Sequence, residues 1–497
     1  MDGGEETNFI DNFIKSSKPD STCLIDQGKI FSWGKIDDLV SRLSSFVSRK
    51  IRGKGSRVAI FLPNSWEFFV VLYSTIRSGG IAVPVDFRSS ITEVSEILLK
   101  TTPELAFVDE GKMHFFDKFN GLTINVGPLF KEWIGSINPG KNKISREESD
   151  PVLILFTGGT TGTPKGVVLS HRNIHHVVRS LSERWSLKPG KETFLQLLPA
   201  THSGGLNCIM NVAMYSKAKL VIMRKFDLEQ MIKEIRENKV TVLVAVPTVY
   251  NYINNDDSIG KLDLQSVKVF FSSGAKLLEP TFNKFHEKTG KIINVGWGMT
   301  ESAPQITVAE LNYYEPDFVG SPLPMTEVRA FDENGSLLPD GQVGELCVKG
   351  PQVMGGYWND PVSTSIAFTE NGFLRTGDLG YVNKGGVYLL GRKKDVIISG
   401  GYKIWRQEVE RALLELDGVK EAAVIGVPDS IYGEIVKAFV VPLFPMRDSD
   451  IKDALKKKIS VLKIPRSIEF VESIPKSSAG KIAYRELESY VQRHQRL

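Results

Sequence analysis

Short apolar, β-branched runs alternate along the first two thirds of the chain with longer stretches whose apolar residues recur every three or four positions. Val58 to Leu62, Val152 to Phe156, Lys219 to Met223 and Thr241 to Val246 are runs of the first kind and predict buried strands. Trp66 to Arg77, Leu228 to Glu237 and Glu279 to Lys288 carry the helical period. That alternation predicts an α/β fold with substantially parallel sheets. From about Gly320 the texture changes to short strands punctuated by Asp332-Glu-Asn-Gly335, Pro339-Asp-Gly341 and Asn383-Lys-Gly-Gly386, which predicts a mainly antiparallel β region. After Arg392 a smaller unit shows helical stretches at Gln407 to Leu416 and Ile451 to Leu462, with strand-like Ala422 to Val427 and Ala438 to Val441 between them. The expected organisation is a large N-terminal domain over residues 1–393, of α/β sheets plus a β-rich subdomain, and a small α+β C-terminal domain over residues 394–497.

Composition narrows the class. With 497 residues, 41% hydrophobic and 24% charged, and with 44 Gly and 24 Pro, the chain is an ordinary globular protein rich in turns, and collagen-like, coiled-coil and wholly disordered readings fall away. Its 62 basic and 58 acidic residues nearly cancel, and the one basic run, Lys456 to Lys458, reads as a solvated helix face, so nothing points to nucleic acid. Cys23, Cys208 and Cys347 lie far apart with no CxxC pair, unlike a disulfide framework or a structural zinc site. The acidic start of the chain lacks the layout of a signal peptide, and the apolar runs Phe68 to Tyr73 and Val240 to Val246 are too short to span a bilayer. A soluble, cytoplasmic protein is expected, as monomer or homodimer.

The most informative stretch is Phe156-Thr-Gly-Gly-Thr-Thr-Gly-Thr-Pro-Lys-Gly166, set between two apolar strands. Gly158, Gly159 and Gly162 let backbone N–H groups approach an anion, Thr157, Thr160, Thr161 and Thr163 offer hydroxyls, and Lys165 adds positive charge. This phosphate cradle is not a P-loop, because no Gly-Lys-Ser/Thr follows at the required spacing. Four other motifs accompany it. Gly296-Trp-Gly-Met-Thr-Glu301 gathers an aromatic face, a hydroxyl and a carboxylate, a set that can stack a purine and hold Mg²⁺. Arg375-Thr-Gly-Asp378 ends in a carboxylate suited to both hydroxyls of a ribose; Gly391-Arg-Lys-Lys-Asp395 opens the C-terminal unit; and Pro475-Lys-Ser-Ser-Ala-Gly-Lys481 puts a lysine on a Gly-containing loop.

Together and in this order the motifs resemble the adenylate-forming superfamily of acyl-CoA synthetases, luciferases and peptide-synthetase adenylation domains, from about Gly55 to Arg485. Gly426-Val-Pro-Asp429, Tyr432-Gly-Glu434 and Tyr357-Trp358 make the chain most similar to the fatty-acyl and aryl CoA ligase branch. The resemblance implies ATP-dependent activation of a carboxylic acid to acyl-AMP, then transfer to CoA, with ATP, Mg²⁺ and CoA as cofactors. It implies that the loop from Thr157 to Lys165 meets the β- and γ-phosphates, that Glu301, with Thr157, holds Mg²⁺, and that Thr300 donates to the α-phosphate. Gly274, Ala275 and Lys276 would line the adenine with Trp297, Gly298 and Met299, while Asp378 and Arg392 take the ribose. Lys481 would be the adenylation lysine, carried by a C-terminal domain that rotates about Lys394, and His202, in Thr201-His-Ser-Gly-Gly205, a gate to the acyl pocket. Gly204 and Gly205 would leave that pocket volume for a medium- to long-chain fatty or aryl acid, with Cys208 packing nearby.

Departures from the family pattern are local. Trp297 stands where a tyrosine is usual, Gly158 where many relatives carry serine, Arg406 where many have proline, and Lys403 where a smaller amide is common. The last two put the acceptor in question rather than the adenylation, so the competing reading is an acyl-AMP ligase that delivers to a separate carrier protein. A regulator without catalysis fits poorly with Lys165, Glu301, Asp378, Arg392 and Lys481 all in place. A luciferase-like oxygenase would show itself by oxygen-dependent product formation.

Overall fold

The computed structural model describes residues 11–15, 18–140, 144–157, 164–399, 402–429, 431–477 and 480–494. Two large sheets dominate. One has seven strands, in the order Gly356–Tyr357, Lys165–Ser170, Pro151–Thr157, Ile81–Pro84, Arg57–Phe61, Leu105–Asp109 and Leu122–Val126. Its centre is parallel, while Pro151–Thr157 and Lys165–Ser170 form an antiparallel hairpin in which Thr157 faces Lys165. The other sheet has nine strands, with Ile293–Gly298, Val269–Ser272, Val242–Ala245, Thr193–Gln196, Lys219–Ile222 and Thr22–Asp26 parallel at its centre.

Alternation along the strands explains why both faces of these sheets are covered. In Arg57–Phe61, Val58 and Ile60 point into the core shared by the two sheets, whereas Ala59 and Phe61 point into a second cluster under the helix Ile91–Thr101. A strand buried on both sides reads as an unbroken apolar run, which is how it was visible in the sequence. The helix Trp66–Arg77 lies within the shared core with ten of its residues buried, and the Ser65 hydroxyl caps it by accepting from the Phe68 N–H. Leu228–Asn238 and Glu279–Thr289 cover the outer face of the nine-stranded sheet, and their bounds agree with the helical periods to within two residues.

The expected antiparallel region is a four-stranded sheet of Glu327–Phe331, Gly344–Lys349, Leu374–Asn383 and Gly386–Arg392. Beyond it, Val396–Ser399, Tyr402–Trp405, Val419–Asp429, Gly433–Pro442 and Ser467–Phe470 form a separate sheet covered by the helices Arg406–Leu414, Asp448–Leu455 and Tyr484–His494, with its own apolar clusters. The helix expected over Ile451 to Leu462 starts three residues earlier and stops at Leu455, its last buried apolar residue. Lys456, Lys457 and Lys458 lie exposed in the turn that follows rather than on a helix face, with Lys456 paired to Asp453 at 2.7 Å and Lys458 to Glu415 at 2.9 Å. The three cysteines are buried and unbonded, and among the described residues no helix is long and apolar enough to cross a membrane.

Phe271 shows where this core is most exacting: it is fully buried on Val269–Ser272 and meets the Trp185 ring edge to face at 5.0 Å. Phe271→Ala is expected to cost about 3–5 kcal/mol, read as a lower urea midpoint for unfolding, and an unchanged midpoint would mean that the cavity collapses without loss.

Candidate active site

Three separate segments converge on one carboxylate. Trp297 comes from the strand Ile293–Gly298, Asp378 from Leu374–Asn383 and Arg392 from Gly386–Arg392. Antiparallel register sets Asp378 directly opposite Arg392, so the pair is fixed by the hairpin that turns at Lys384-Gly385. The indole Nε1–H of Trp297 donates to Asp378 Oδ2 at 2.7 Å, and Arg392 Nε approaches Oδ1 at 3.1 Å. Burial pushes the Asp378 carboxyl above its usual range, and the Arg392 charge and the Trp297 bond pull it back down.

Lys481 reaches the same place from the C-terminal unit. Its Cε lies 3.0 Å from the point where a side chain on Gly274 would begin, and Gly274 has φ +87°, a backbone conformation that favours glycine. Thr248 donates its hydroxyl to the Gly480 carbonyl at 2.6 Å, and Lys476 Nζ lies 3.3 Å from the Tyr252 hydroxyl, which docks the lysine loop on the helix Pro247–Asn255 that follows the strand Val242–Ala245. Lys481 as a whole residue is exposed, yet desolvation by the surrounding protein and the Arg392 charge bring its pKa down to about 8, with Asp378 acting the other way. The cavity between these elements measures about 360 Å³ and is lined by Gly274, Ala275, Trp297, Gly298, Asp378 and Lys481, among others. That volume suits a small-molecule site.

Lys276 also lines the cavity, but its ammonium pairs with Asp317 Oδ1 at 2.6 Å. Only its stem is left to face a base. Met299 continues the loop, its N–H donating to the Ser302 hydroxyl at 3.1 Å, and Thr300 opens the short 3-10 turn Thr300–Ser302 that carries Glu301. Glu301 is buried and accepts from the Tyr357 hydroxyl at 2.9 Å, while Lys165 Nζ stands 5.2 Å from the centre of the Tyr357 ring. Desolvation raises the Glu301 pKa, and Tyr357, Arg392 and Lys165 counter it. Arg392 pairs with Asp378, and its charge lowers the pKa of Glu301 by attraction and that of Lys481 by repulsion. Thr157 ends one strand of the hairpin and Lys165 begins the other; Gly158, Gly159, Thr160, Thr161, Gly162 and Thr163 lie outside the described residues. The backbone of Lys394 belongs to the short turn Lys393–Asp395 after Arg392.

His202 stands apart from this cavity. Its Nε2 is 3.0 Å from Asp86 Oδ2, which ties the segment before the π-helical turn Gly204–Met210 to the loop after Ile81–Pro84. Burial raises the Asp86 carboxyl, but hydrogen bonds from His202 and Arg88 outweigh it and hold the group well below the usual carboxylate range. The two glycines beside His202 are not equivalent. Space beside Gly204 is open, as expected, whereas Gly205 packs against the Pro199 carbonyl and contributes no pocket volume. Cys208 is buried, and burial pushes its thiol far up.

The sequence motifs did not reveal several partners. Asp86, Asp317 and, as a ligand of Glu301, Tyr357 are joined to site residues only by folding. A further cluster borders the cavity from the C-terminal unit: Arg406 pairs with Asp395 at 2.5 Å and lies 3.5 Å from the Tyr484 ring centre, and the Tyr484 hydroxyl donates to Glu410 at 2.8 Å. Burial pushes Glu410 up to about 7. The spacing of Tyr484 three residues after Lys481 was the available signal for it.

With this geometry in place, comparison with known proteins gives consistent results. The family model described as AMP-binding enzyme matches residues 14–358, and the AMP-binding enzyme C-terminal domain matches residues 408–481. A long-chain-fatty-acid–CoA ligase of Bacillus subtilis is 32% identical over 94% of this chain and 91% of its own length. The ATP-bound crystal structure of MatB from Rhodopseudomonas palustris superimposes with a TM-score of 0.92 at 28% identity, covering 98% of this chain and 99% of that one. The apo structure of the same protein, at the same identity and coverage, gives 0.81, so the arrangement of this chain is more similar to the ATP-bound form.

A lysine whose pKa is near 8 carries about half its population as the reactive free amine at pH 8, against well under 1% for an ordinary lysine. An amine-directed reagent at pH 8 should therefore label Lys481 ahead of exposed lysines such as Lys457, and ATP should protect it; peptide mass spectrometry showing equal labelling and no protection would remove Lys481 from the cavity.

Proposed function

The chain belongs to the AMP-binding enzyme family, and we propose that it is an AMP-forming acyl-CoA ligase in which the cavity between Trp297, Asp378 and Lys481 takes the adenylate. The observation that carries this reading is that Lys481, from the C-terminal unit, lines the same cavity as Trp297, Asp378 and Arg392. A nucleotide whose sugar is held by Asp378 puts its α-phosphate within the field of Lys481 and Arg392.

A carboxylate is a poor electrophile, because its charge repels nucleophiles and oxide is a poor leaving group. In the first step the acid's oxygen attacks the α-phosphorus of ATP, the bond to the β-phosphate oxygen breaks, and pyrophosphate leaves with that electron pair. Negative charge crowds at the α-phosphate as this happens, and Lys481 and Arg392 lower the repulsion where it develops. The Thr300 hydroxyl adds a donor. Glu301 is buried beside one hydroxyl, and no ion-paired side chain is found for it among the described residues, so it retains the demand for positive charge that a divalent cation meets. Hard carboxylate and hydroxyl oxygens from Glu301 and Thr157 fit Mg²⁺, which when bound supplies charge neutralisation to the triphosphate. In the second step the sulfur of CoA attacks the acyl carbon and AMP leaves.

The acid we propose is a medium- to long-chain fatty or aryl acid entering past His202 and the open side of Gly204. The Bacillus relative, named for long-chain fatty acids, supports this choice. We place the domain boundary at residues 393/394, inside the interval left between the two family models, with Lys394 as the hinge that withdraws Lys481 before the thiol attacks. A soluble protein of the cytoplasm agrees with the unbonded cysteines.

Incubation with ATP, Mg²⁺ and acids from acetate to palmitate plus benzoate and cinnamate, with and without CoA, should yield AMP and acyl-CoA only when CoA and a preferred acid are both present. Acid-dependent pyrophosphate release that stalls at acyl-AMP despite CoA would instead assign a carrier-protein acceptor, and no release with any acid would refute the ligase reading. Lys481→Ala should lower acyl-AMP formation by about 10²- to 10³-fold, the scale of a lost oxyanion donor, while thioester formation from supplied acyl-AMP persists. Equal loss of both steps would show that Lys481 does not act in adenylation.

A further inference from the structure

The indole of Trp297 does more here than present a flat face. It comes from the end of the strand Ile293–Gly298, beyond that strand's parallel pairing, where Trp297 is paired antiparallel with Thr307, and it is buried in the core that the two large sheets share. From that fixed position its N–H donates to one oxygen of Asp378 at 2.7 Å. The second partner of this carboxylate is of a different kind. Arg392 is half exposed, ends the strand next to the turn Lys393–Asp395, and also acts on Glu301 and Lys481. One oxygen of Asp378 is therefore anchored by a rigid donor, and the other is left to a partner that stands at the edge of the C-terminal unit.

We propose that Trp297 is a positioning residue that, through its indole N–H, holds the Asp378 carboxylate in the orientation that accepts the ribose hydroxyls, so that discrimination between ATP and its deoxy analogues depends on Trp297. The proposal rests on the adenylate reading of the cavity. An indole N–H is a donor and never an acceptor, so it bonds the ionised carboxylate without competing for the hydroxyl protons of a sugar. It fixes Oδ2 and leaves Oδ1, whose partner is the half-exposed Arg392, to be shared with a ligand in the cavity that Asp378 lines. A carboxylate aimed in advance loses less ordering entropy when a diol binds than one free to rotate about χ2. Because the anchor belongs to the sheet and not to the C-terminal unit, Asp378 keeps that aim whatever position Lys481 occupies.

The test compares kcat/KM for ATP with that for 2′-deoxyATP and 3′-deoxyATP in the wild type, in Trp297→Phe, in Asp378→Asn and in the double variant. Phenylalanine keeps an aromatic face and removes the donor. Trp297→Phe is expected to reduce the ATP-to-deoxyATP preference by about ten- to a hundredfold, the scale of one hydrogen bond to a charged group, with the thermal midpoint used to verify folding. In the Asp378→Asn background the same substitution should change the preference less than about twofold, because its route through the carboxylate is gone. An unchanged preference in the single variant, or additive losses in the double variant, overturns the proposal. Should Trp297→Phe fail to fold, replacing Trp297 by benzothienylalanine, which keeps the bicyclic shape and puts sulfur in place of N–H, gives the same comparison. A wild type that binds no ATP overturns the adenylate reading itself, an outcome distinct from a wild type that binds ATP and loses nothing with Trp297→Phe.

Discussion

The Asp378 carboxylate is almost wholly removed from solvent, and a charge so placed persists only where donors replace the water it has given up. Here the donors are the Trp297 indole and the Arg392 guanidinium, on strands of two different sheets. Meeting that requirement brings the edge of the nine-stranded sheet against the four-stranded one, and the cavity is the space between them. The charge of Arg392, held by its pair with Asp378, also favours an ionised Glu301 and disfavours a protonated Lys481. Removing the carboxylate would leave Arg392 and Lys481 as like charges facing each other across the cavity.

Much of this was legible in the sequence, for identifiable reasons. Strands buried on both faces had to be unbroken apolar runs, and Arg57–Phe61, Pro151–Thr157 and Val242–Ala245 appear where such runs stand. The site's charged residues were legible because backbone and charge are packed together in short motifs: Asp378 and Arg392 each sit at a strand position fixed by a neighbouring hairpin. What was hidden depends on contacts between distant segments. Tyr357 is 56 residues from the Glu301 it supports, and His202 is 116 residues from Asp86. Gly204 and Gly205 look alike as letters, yet the Pro199 carbonyl backs only the second. The helix after Asp448 ends at Leu455 because three solvated lysines offer nothing further to bury, a tertiary reason that periodicity alone does not carry.

The C-terminal unit contributes to the cavity by a light contact. The Thr248 and Lys476 hydrogen bonds that hold the Lys481 loop are polar and near solvent, the kind of interface across which relative movement is the usual expectation. Within the unit the connections are tighter. Asp395, at the turn after Arg392, is tied to Arg406, Arg406 to the face of Tyr484, and Tyr484 to the buried Glu410, three residues beyond Lys481 at the start of the final helix. The turn, the helix Arg406–Leu414 and the lysine loop are thereby braced as one body. Arginine at position 406 makes this brace with one side chain that both pairs and stacks, which a proline there has no means of doing.

This contrast between a loose outer contact and a stiff inner one fits the chemistry that the cavity must serve. Lys481, to which the proposed mechanism gives the relief of repulsion at the α-phosphate, lies over Gly274 in this arrangement. A thiol approaching the acyl carbon needs an open path to the same adenylate. The two half-reactions therefore ask for Lys481 present and Lys481 absent. A unit braced internally from Asp395 to Tyr484 and docked through the polar contacts of Thr248 and Lys476 suits such an exchange, and the arrangement of this chain is more similar to the ATP-bound than to the apo MatB structure. The anchor that must not leave with it is the one on Asp378, and the sheet supplies that through Trp297, so the nucleotide's sugar stays held while the catalytic charge is exchanged.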